Sequence, residues 1–165
     1  MIGLDTNVLV RYVMQDDPRQ SPKATRLVES LSSESPGFVP QVSIVEFVGV
    51  LSSSYGLTRD QVASALELLL RSKELVVDRA DQVVKALRVF KAGSADFADC
   101  LIERVAHAAG CSATMTFDVG AAKTAGMKLI PQGGTAQAEC QPGVNDRTRR
   151  RPWAANAAGR HSKCS

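Results

Sequence analysis

The sequence of 165 residues lacks the features of a membrane protein and of a disulfide-stabilised protein. No apolar run reaches the roughly 18 residues that a membrane-spanning helix needs. The chain also has no basic segment followed by an apolar stretch and a small-residue cleavage site at its start. The four cysteines form no CxxC pair, and the two histidines have no metal-ligand spacing. We therefore expect a cytoplasmic protein without zinc or disulfides, in which Cys100 and Cys111 are small buried apolar residues.

An excess of charge of one sign is also missing from most of the chain. Residues 1–130 contain 14 Lys and Arg against 15 Asp and Glu, whereas residues 131–165 contain 6 against 2. The net charge of +3 thus comes from the C-terminal segment and is no sign of nucleic-acid binding by the rest. Because that segment has no hydrophobic period, we expect a globular domain over residues 1–130 and a disordered basic tail over 131–165.

The tail contains an arginine-rich run, RTRRR, at residues 147–151, followed by Trp153. The run predicts salt-sensitive attraction to RNA phosphates, and the indole could stack on a base. The alternative is a solvated extension without function.

Hydrophobic patterns along the chain alternate between strand and helix, which predicts an α/β fold. The predicted strands span residues 1–4, 38–40, 75–77, 113–116 and 127–130. The predicted helices span residues 6–14, 18–33, 43–55, 58–71, 79–91, 95–109 and 118–125. This order predicts a short, mostly parallel sheet with helices on both faces.

Two helices in the middle of the chain have predicted caps and much apolar surface. Ser43, followed three residues later by Glu46, predicts a capping box, and Thr58 predicts the cap of the next helix. The two helices carry more apolar surface than a small sheet can cover, which predicts a two-fold dimer interface. Its candidate residues are Val50, Leu51, Leu66 and Leu69; the alternative is ordinary core packing.

Carboxylates interrupt apolar stretches at the ends of several predicted elements: Asp5, Glu46, Asp96, Asp99 and Asp118. Asp5 follows a strand predicted to be buried, where an unpaired carboxylate is costly. Asp5 and Asp118 each follow a strand and are expected at one sheet edge, and Asp96 and Asp99 share a helix face. Converging carboxylates repel unless a cation lies between them. The set therefore predicts a site for Mg²⁺ or Mn²⁺ suited to phosphodiester hydrolysis.

Helix capping is the alternative explanation for four of these carboxylates. Asp5, Asp96 and Asp118 each precede a predicted helix, where Asp is a favoured N-cap residue. Glu46 fits the second position of a capping box. Asp99 is harder to explain in this way, because it lies in a DCLI stretch that turns toward the core.

A resemblance to a known family rests on three segments in order: LDTNVLVRYV, VSIVEFVGVLSSSYG and ADFADCLIERVAHAAGCSATMTFDVGAAKTAGMKLI. Together they resemble the PIN domain of the VapC-type toxin ribonucleases, over residues 1–130. The resemblance implies a three-layer α/β/α sandwich and an endoribonuclease that depends on Mg²⁺ or Mn²⁺. It also implies a homodimer that a small antitoxin protein keeps inactive.

The resemblance assigns roles to individual residues. The implied catalytic and metal-binding carboxylates are Asp5, Glu46, Asp99 and Asp118, with Asp96 as a further metal ligand. The implied supporting polar residues are Thr6, Asn7 and Thr116. The sequence departs from the family where Val119 and Gly120 replace the frequent Arg or Lys, which leaves Lys123 as the candidate for phosphate contact. The basic tail after Ile130 is a second departure.

Two other functions fit parts of the pattern. A phosphohydrolase of the haloacid-dehalogenase type also has an aspartate after its first strand, but it needs a second acid two residues later, where this chain has Asn7. A non-catalytic module that binds RNA or protein could retain the PIN fold. A metal-dependent nuclease assay separates this module from an enzyme.

Overall fold

The structure is a computed structural model that describes residues 1–131. Its strands are β1 (Ile2–Gly3), β2 (Gly37–Val39), β3 (Leu75–Val77), β4 (Met115–Thr116) and β5 (Lys128–Leu129). Its helices are α1 (Thr6–Met14), α2 (Ser21–Glu29), α3 (Gln41–Ser53), α4 (Arg59–Arg71), α5 (Ala80–Ala92), α6 (Phe97–Ala108) and α7 (Val119–Thr124). No helix within residues 1–131 is long and apolar enough to cross a membrane. The predictions for the tail fall on residues 132–165 and lie outside the described part.

All the described strand pairs are parallel, which confirms the predicted three-layer α/β/α architecture with a short parallel sheet. Strand β2 pairs with β1 and β3, and β4 pairs with β5. Strands β1 and β4 lie in two separately hydrogen-bonded sheets, so the shared edge expected for Asp5 and Asp118 stays a prediction.

The first strand is less buried than the sequence predicts. Ile2 is 44% exposed and only Leu4, at 3%, reaches the core. Strand β1 lies at the edge of its sheet, so its apolar residues are covered on fewer sides than those of a central strand. Asp5 is exposed as well. The argument that a buried carboxylate here requires a cation is therefore wrong.

Helices α3, α4 and α5 supply much of the hydrophobic core. Leu51 and Leu66 are completely buried, Leu69 is 1% exposed, and Val50 is half-buried. Side chains inside the core have no surface to offer a second copy of the chain. The predicted dimer interface is therefore wrong for Leu51, Leu66 and Leu69, for which the alternative of core packing is correct.

The two predicted caps have different outcomes. Thr58 is the N-cap of α4, as predicted, and the structure adds a full capping box with Gln61. Helix α3, in contrast, begins at Gln41 with Pro40 as its N-cap, so Ser43 lies inside the first turn. The carbonyl of Pro40 already accepts a hydrogen bond from the backbone N–H of Ile44 at 3.3 Å, so the helix starts upstream of the predicted position.

The two described cysteines differ in burial. Cys100 is buried in the core, where loss of solvation raises the pKa of its thiol to about 11. Cys111 is exposed, so its predicted burial is wrong. It follows Gly110, which has a positive φ of 88° and carries the chain away from the end of α6.

Candidate active site

Asp5 occupies the N-cap position of α1 but does not act as a cap. Its backbone is extended, and its side chain makes no capping hydrogen bond. The Oδ2 atom instead accepts a hydrogen bond from the Nδ2 atom of Asn7 at 3.3 Å. The carboxylate therefore lies exposed at a helix N-terminus, where the helix dipole favours negative charge.

Glu46 is held by a residue from another helix. Its Oε2 atom accepts a hydrogen bond of 2.6 Å from the hydroxyl of Thr6, which is 3% exposed. The bond joins α3 to α1 across 40 positions in sequence. Thr6 thus fixes one carboxylate oxygen of Glu46, a residue that is otherwise exposed. The predicted capping box of Glu46 with Ser43 is wrong.

Asp96 and Asp118 are helix caps, which the alternative explanation predicts. The Oδ1 atom of Asp96 accepts from the backbone N–H of Ala98 at 2.7 Å. The Oδ1 atom of Asp118 accepts from Gly120 and Ala121 at 2.6 and 3.2 Å. In both residues the Oδ2 atom has no hydrogen-bond partner among residues 1–131, so one oxygen stays available to a ligand.

The backbone around Asp118 has further support. The backbone N–H of Asp118 donates to the hydroxyl of Thr116 at 2.9 Å. Lys123, the candidate for phosphate contact, is exposed on α7.

Asp99, unlike Asp96 and Asp118, does not cap a helix. It is half-buried in the first turn of α6 and makes no side-chain hydrogen bond within the described chain. Loss of solvation raises the pKa of Asp99, and the nearby charges of Asp96 and Asp118 raise it further. These three carboxylates, here called the α6–α7 group, therefore repel one another.

Asp5 and Glu46, with the side chains that hold them, form a second set, here called the α1–α3 group. Helix α3, which carries Glu46, contacts helix α6, which carries Asp99. The two groups therefore lie on neighbouring helices. None of the five carboxylates forms a salt bridge with a Lys or Arg of residues 1–131.

The donor atoms match a hard divalent cation in kind, because carboxylate oxygens are the ligands that Mg²⁺ and Mn²⁺ prefer. The repulsion within the α6–α7 group is one that a cation relieves. The described part of the chain nevertheless contains no group of three or more His, Cys, Asp or Glu side chains placed to hold a metal ion. The carboxylates are thus positioned by their helices without being assembled into a ready coordination shell.

Comparison with known protein families assigns the chain to one of them. The PIN domain family matches residues 2–127 of the chain. The chain belongs to the PIN domain family. PIN domains are generally nucleases and typically use divalent metals. This membership excludes the haloacid-dehalogenase alternative. A search of curated proteins found no match to the chain.

Sequence reasoning missed one residue that shapes this PIN domain near its carboxylates. Arg59, at the start of α4, donates hydrogen bonds to the carbonyl oxygens of Phe90 and Ala95 at 2.7 and 2.9 Å. Its guanidinium also lies 4.1 Å from the centre of the Phe90 ring, a cation–π distance. Arg59 thereby fixes the loop that leads to Asp96. No local signal could reveal this, because its partners lie 31 and 36 residues away.

Proposed function

We propose that this PIN domain is an endoribonuclease that depends on Mg²⁺ or Mn²⁺ and acts in the cytoplasm as the toxin of a toxin–antitoxin pair. One observation carries the nuclease proposal. Asp99 is half-buried near the charges of Asp96 and Asp118, with no capping bond and no salt bridge within residues 1–131. Such an arrangement is costly unless a cation is its partner.

The proposed ligands are Asp5, Glu46, Asp99 and Asp118, with Asp96 as a further one. A bound divalent cation would supply a water of lowered pKa and neutralise charge that develops on the phosphate. The hydroxyl of Thr6 holds Glu46, and the backbone of α7 holds Asp118, so these oxygens need little reordering. A carboxylate oxygen that is free of other bonds would accept the proton of the attacking water.

The test is cleavage of a single-stranded RNA by the full chain with Mg²⁺ or with EDTA. We expect EDTA to abolish cleavage. Asp99→Asn should lower it by more than the roughly 10–100-fold that outer-shell partners of metal ligands cost. Asp81→Asn, on the exposed face of α5, removes the same charge elsewhere and should change nothing. Full activity of Asp99→Asn, or of the wild type in EDTA, would refute the site.

The assignment as a toxin rests on the resemblance to VapC-type ribonucleases, which also implies an antitoxin and a homodimer. A short reading frame for a small DNA-binding protein immediately upstream would support the pair. Sedimentation of the isolated chain tests the homodimer: a monomer at micromolar concentration argues against it.

A second candidate is a non-catalytic module that binds RNA or protein. It is favoured by the lack, within residues 1–131, of side chains already assembled as a three-ligand group. Calorimetric titration with Mn²⁺ separates the two functions. Binding that disappears in Asp99→Asn supports the enzyme, whereas no binding to the wild type supports the module.

A further inference from the structure

A groove of about 340 Å³ lies between α1 and α2. Its apolar side is formed by Val8, Ala24 and Leu27, and its polar side includes Asn7, Gln20 and Lys23. A mostly apolar pocket with a few polar groups is the usual form of a small-ligand site. The apolar side chains can pack against a flat ring, the amides can form hydrogen bonds, and Lys23 adds one positive charge.

Asn7 connects this groove to the candidate active site. Its side chain lines the groove and also donates a hydrogen bond of 3.3 Å to Asp5. A strand of RNA cleaved near Asp5 therefore has this groove beside it. The Nδ2 atom of Asn7 donates to Asp5 and the Oε1 atom of Gln20 accepts from Arg11. The amide oxygen of Asn7 and the amide NH₂ of Gln20 can therefore serve as acceptor and donor for the edge of a base.

The two cations at the groove differ in availability. The guanidinium of Arg11 is engaged by Asp16 at 2.7 Å and by Gln20 and Tyr55 at 3.0 and 3.1 Å. Lys23 is exposed and forms no salt bridge with any residue in the described part of the chain. Its ammonium is thus a point charge open to a phosphate.

We propose that this groove binds one nucleotide of single-stranded RNA next to the cleaved bond, with Lys23 on a phosphate and the base against Val8 and Leu27. The inference rests on the proposed function and adds a substrate-positioning residue to it. Single-stranded RNA exposes unstacked bases and phosphates together. The open cation and the link to Asp5 favour RNA over a protein segment as the occupant.

The experiment measures binding of a fluorescently labelled single-stranded RNA to the full chain in EDTA, by anisotropy over a range of salt concentrations. Lys23→Gln should weaken binding several-fold at low salt and reduce the salt slope by about 0.7, the loss of one phosphate contact on a single strand. Lys23→Arg should retain binding. Lys85→Gln is the control, since Lys85 is exposed on α5 and, among residues 1–131, pairs with Asp81 alone, at 3.7 Å. All variants keep residues 131–165, so any contribution of that segment cancels.

The experiments distinguish failure of the groove proposal from failure of the proposed nuclease function. If the wild type cleaves RNA and Lys23→Gln binds RNA as Lys85→Gln does, the groove proposal is overturned and the nuclease stands. If the wild type does not cleave RNA but its binding depends on Lys23, the groove stands and the nuclease falls. If Lys23→Gln also raises KM and leaves kcat unchanged, the positioning role is supported. Loss of affinity for a protein partner alone, with RNA binding intact, would overturn RNA as the occupant.

Discussion

The α1–α3 group and the α6–α7 group place their carboxylates by different means. In the first group, side chains hold the acids: Thr6 donates to Glu46, and Asn7 donates to Asp5. In the second, the backbone of the helices holds Asp96 and Asp118 as caps. Asp96 and Asp118 therefore also stabilise the helices that they cap, whereas Asp5 and Glu46 have no capping role.

The largest effect is expected at Asp5. Asp5→Asn keeps the shape of the side chain and removes a ligand charge, so RNA cleavage with Mg²⁺ should fall by about 100-fold or more. Because Asp5 makes no capping bond, the melting temperature in EDTA should change little: relief of carboxylate repulsion and loss of the interaction with the helix dipole act in opposite directions. Cleavage rates and thermal melts check both parts. A clear loss of stability would show that Asp5 stabilises the fold as the capping residues Asp96 and Asp118 do, and would contradict the distinction between the two groups.

Next in size is the effect of the hydroxyl that holds Glu46. Thr6→Val preserves the shape of a buried side chain and removes the donor, so cleavage should fall about 10–100-fold, as for partners of metal ligands. Thr6→Ser retains the donor and is the matched control. Equal activity of the two variants would show that Glu46 needs no support from α1.

A smaller effect, on stability, is expected at Asp118. Asp118→Ala removes a cap and should lower the free energy of unfolding by about 1 kcal/mol, whereas Asp118→Ser retains a capping oxygen and should lose only a few tenths. Both variants lose the charge, so both should lose cleavage. Chemical denaturation measures the first difference. Equal stability of the two variants would show that the cap contributes nothing.

The smallest effect concerns acid stability at the end of α1. The hydrogen bond from the hydroxyl of Tyr55, and then that from Arg11, lower the pKa of Asp16. A lowered folded-state pKa gives stability above the unfolded value of about 3.9, and this stability is lost as the pH falls through the lower folded value. The wild type should therefore lose more stability than Asp16→Asn between about pH 5 and pH 2. Parallel losses in denaturant titrations at each pH would contradict this.

Local patterns in the sequence predicted much of the fold. The bounds of α1 and β3 and the cap at Thr58 agree with the structure, because hydrophobic period and caps depend on neighbouring residues. The candidate carboxylates could be named for the same reason, since each interrupts an apolar stretch. The start of α3 was missed, because Pro40 was assigned to the preceding strand and Ser43 to the cap, whereas the helix begins at Gln41.

Tertiary structure decided which of these residues meet. The partner of Glu46 lies 40 residues away, and the burial of Leu51 and Leu66 depends on which helices pack over them. The exposure of Asp5 follows from the edge position of β1. Each of these depends on the path of the chain between distant residues. Propensity and period act over a few neighbouring residues, and so the sequence alone determined the elements and only the tertiary structure determined their contacts.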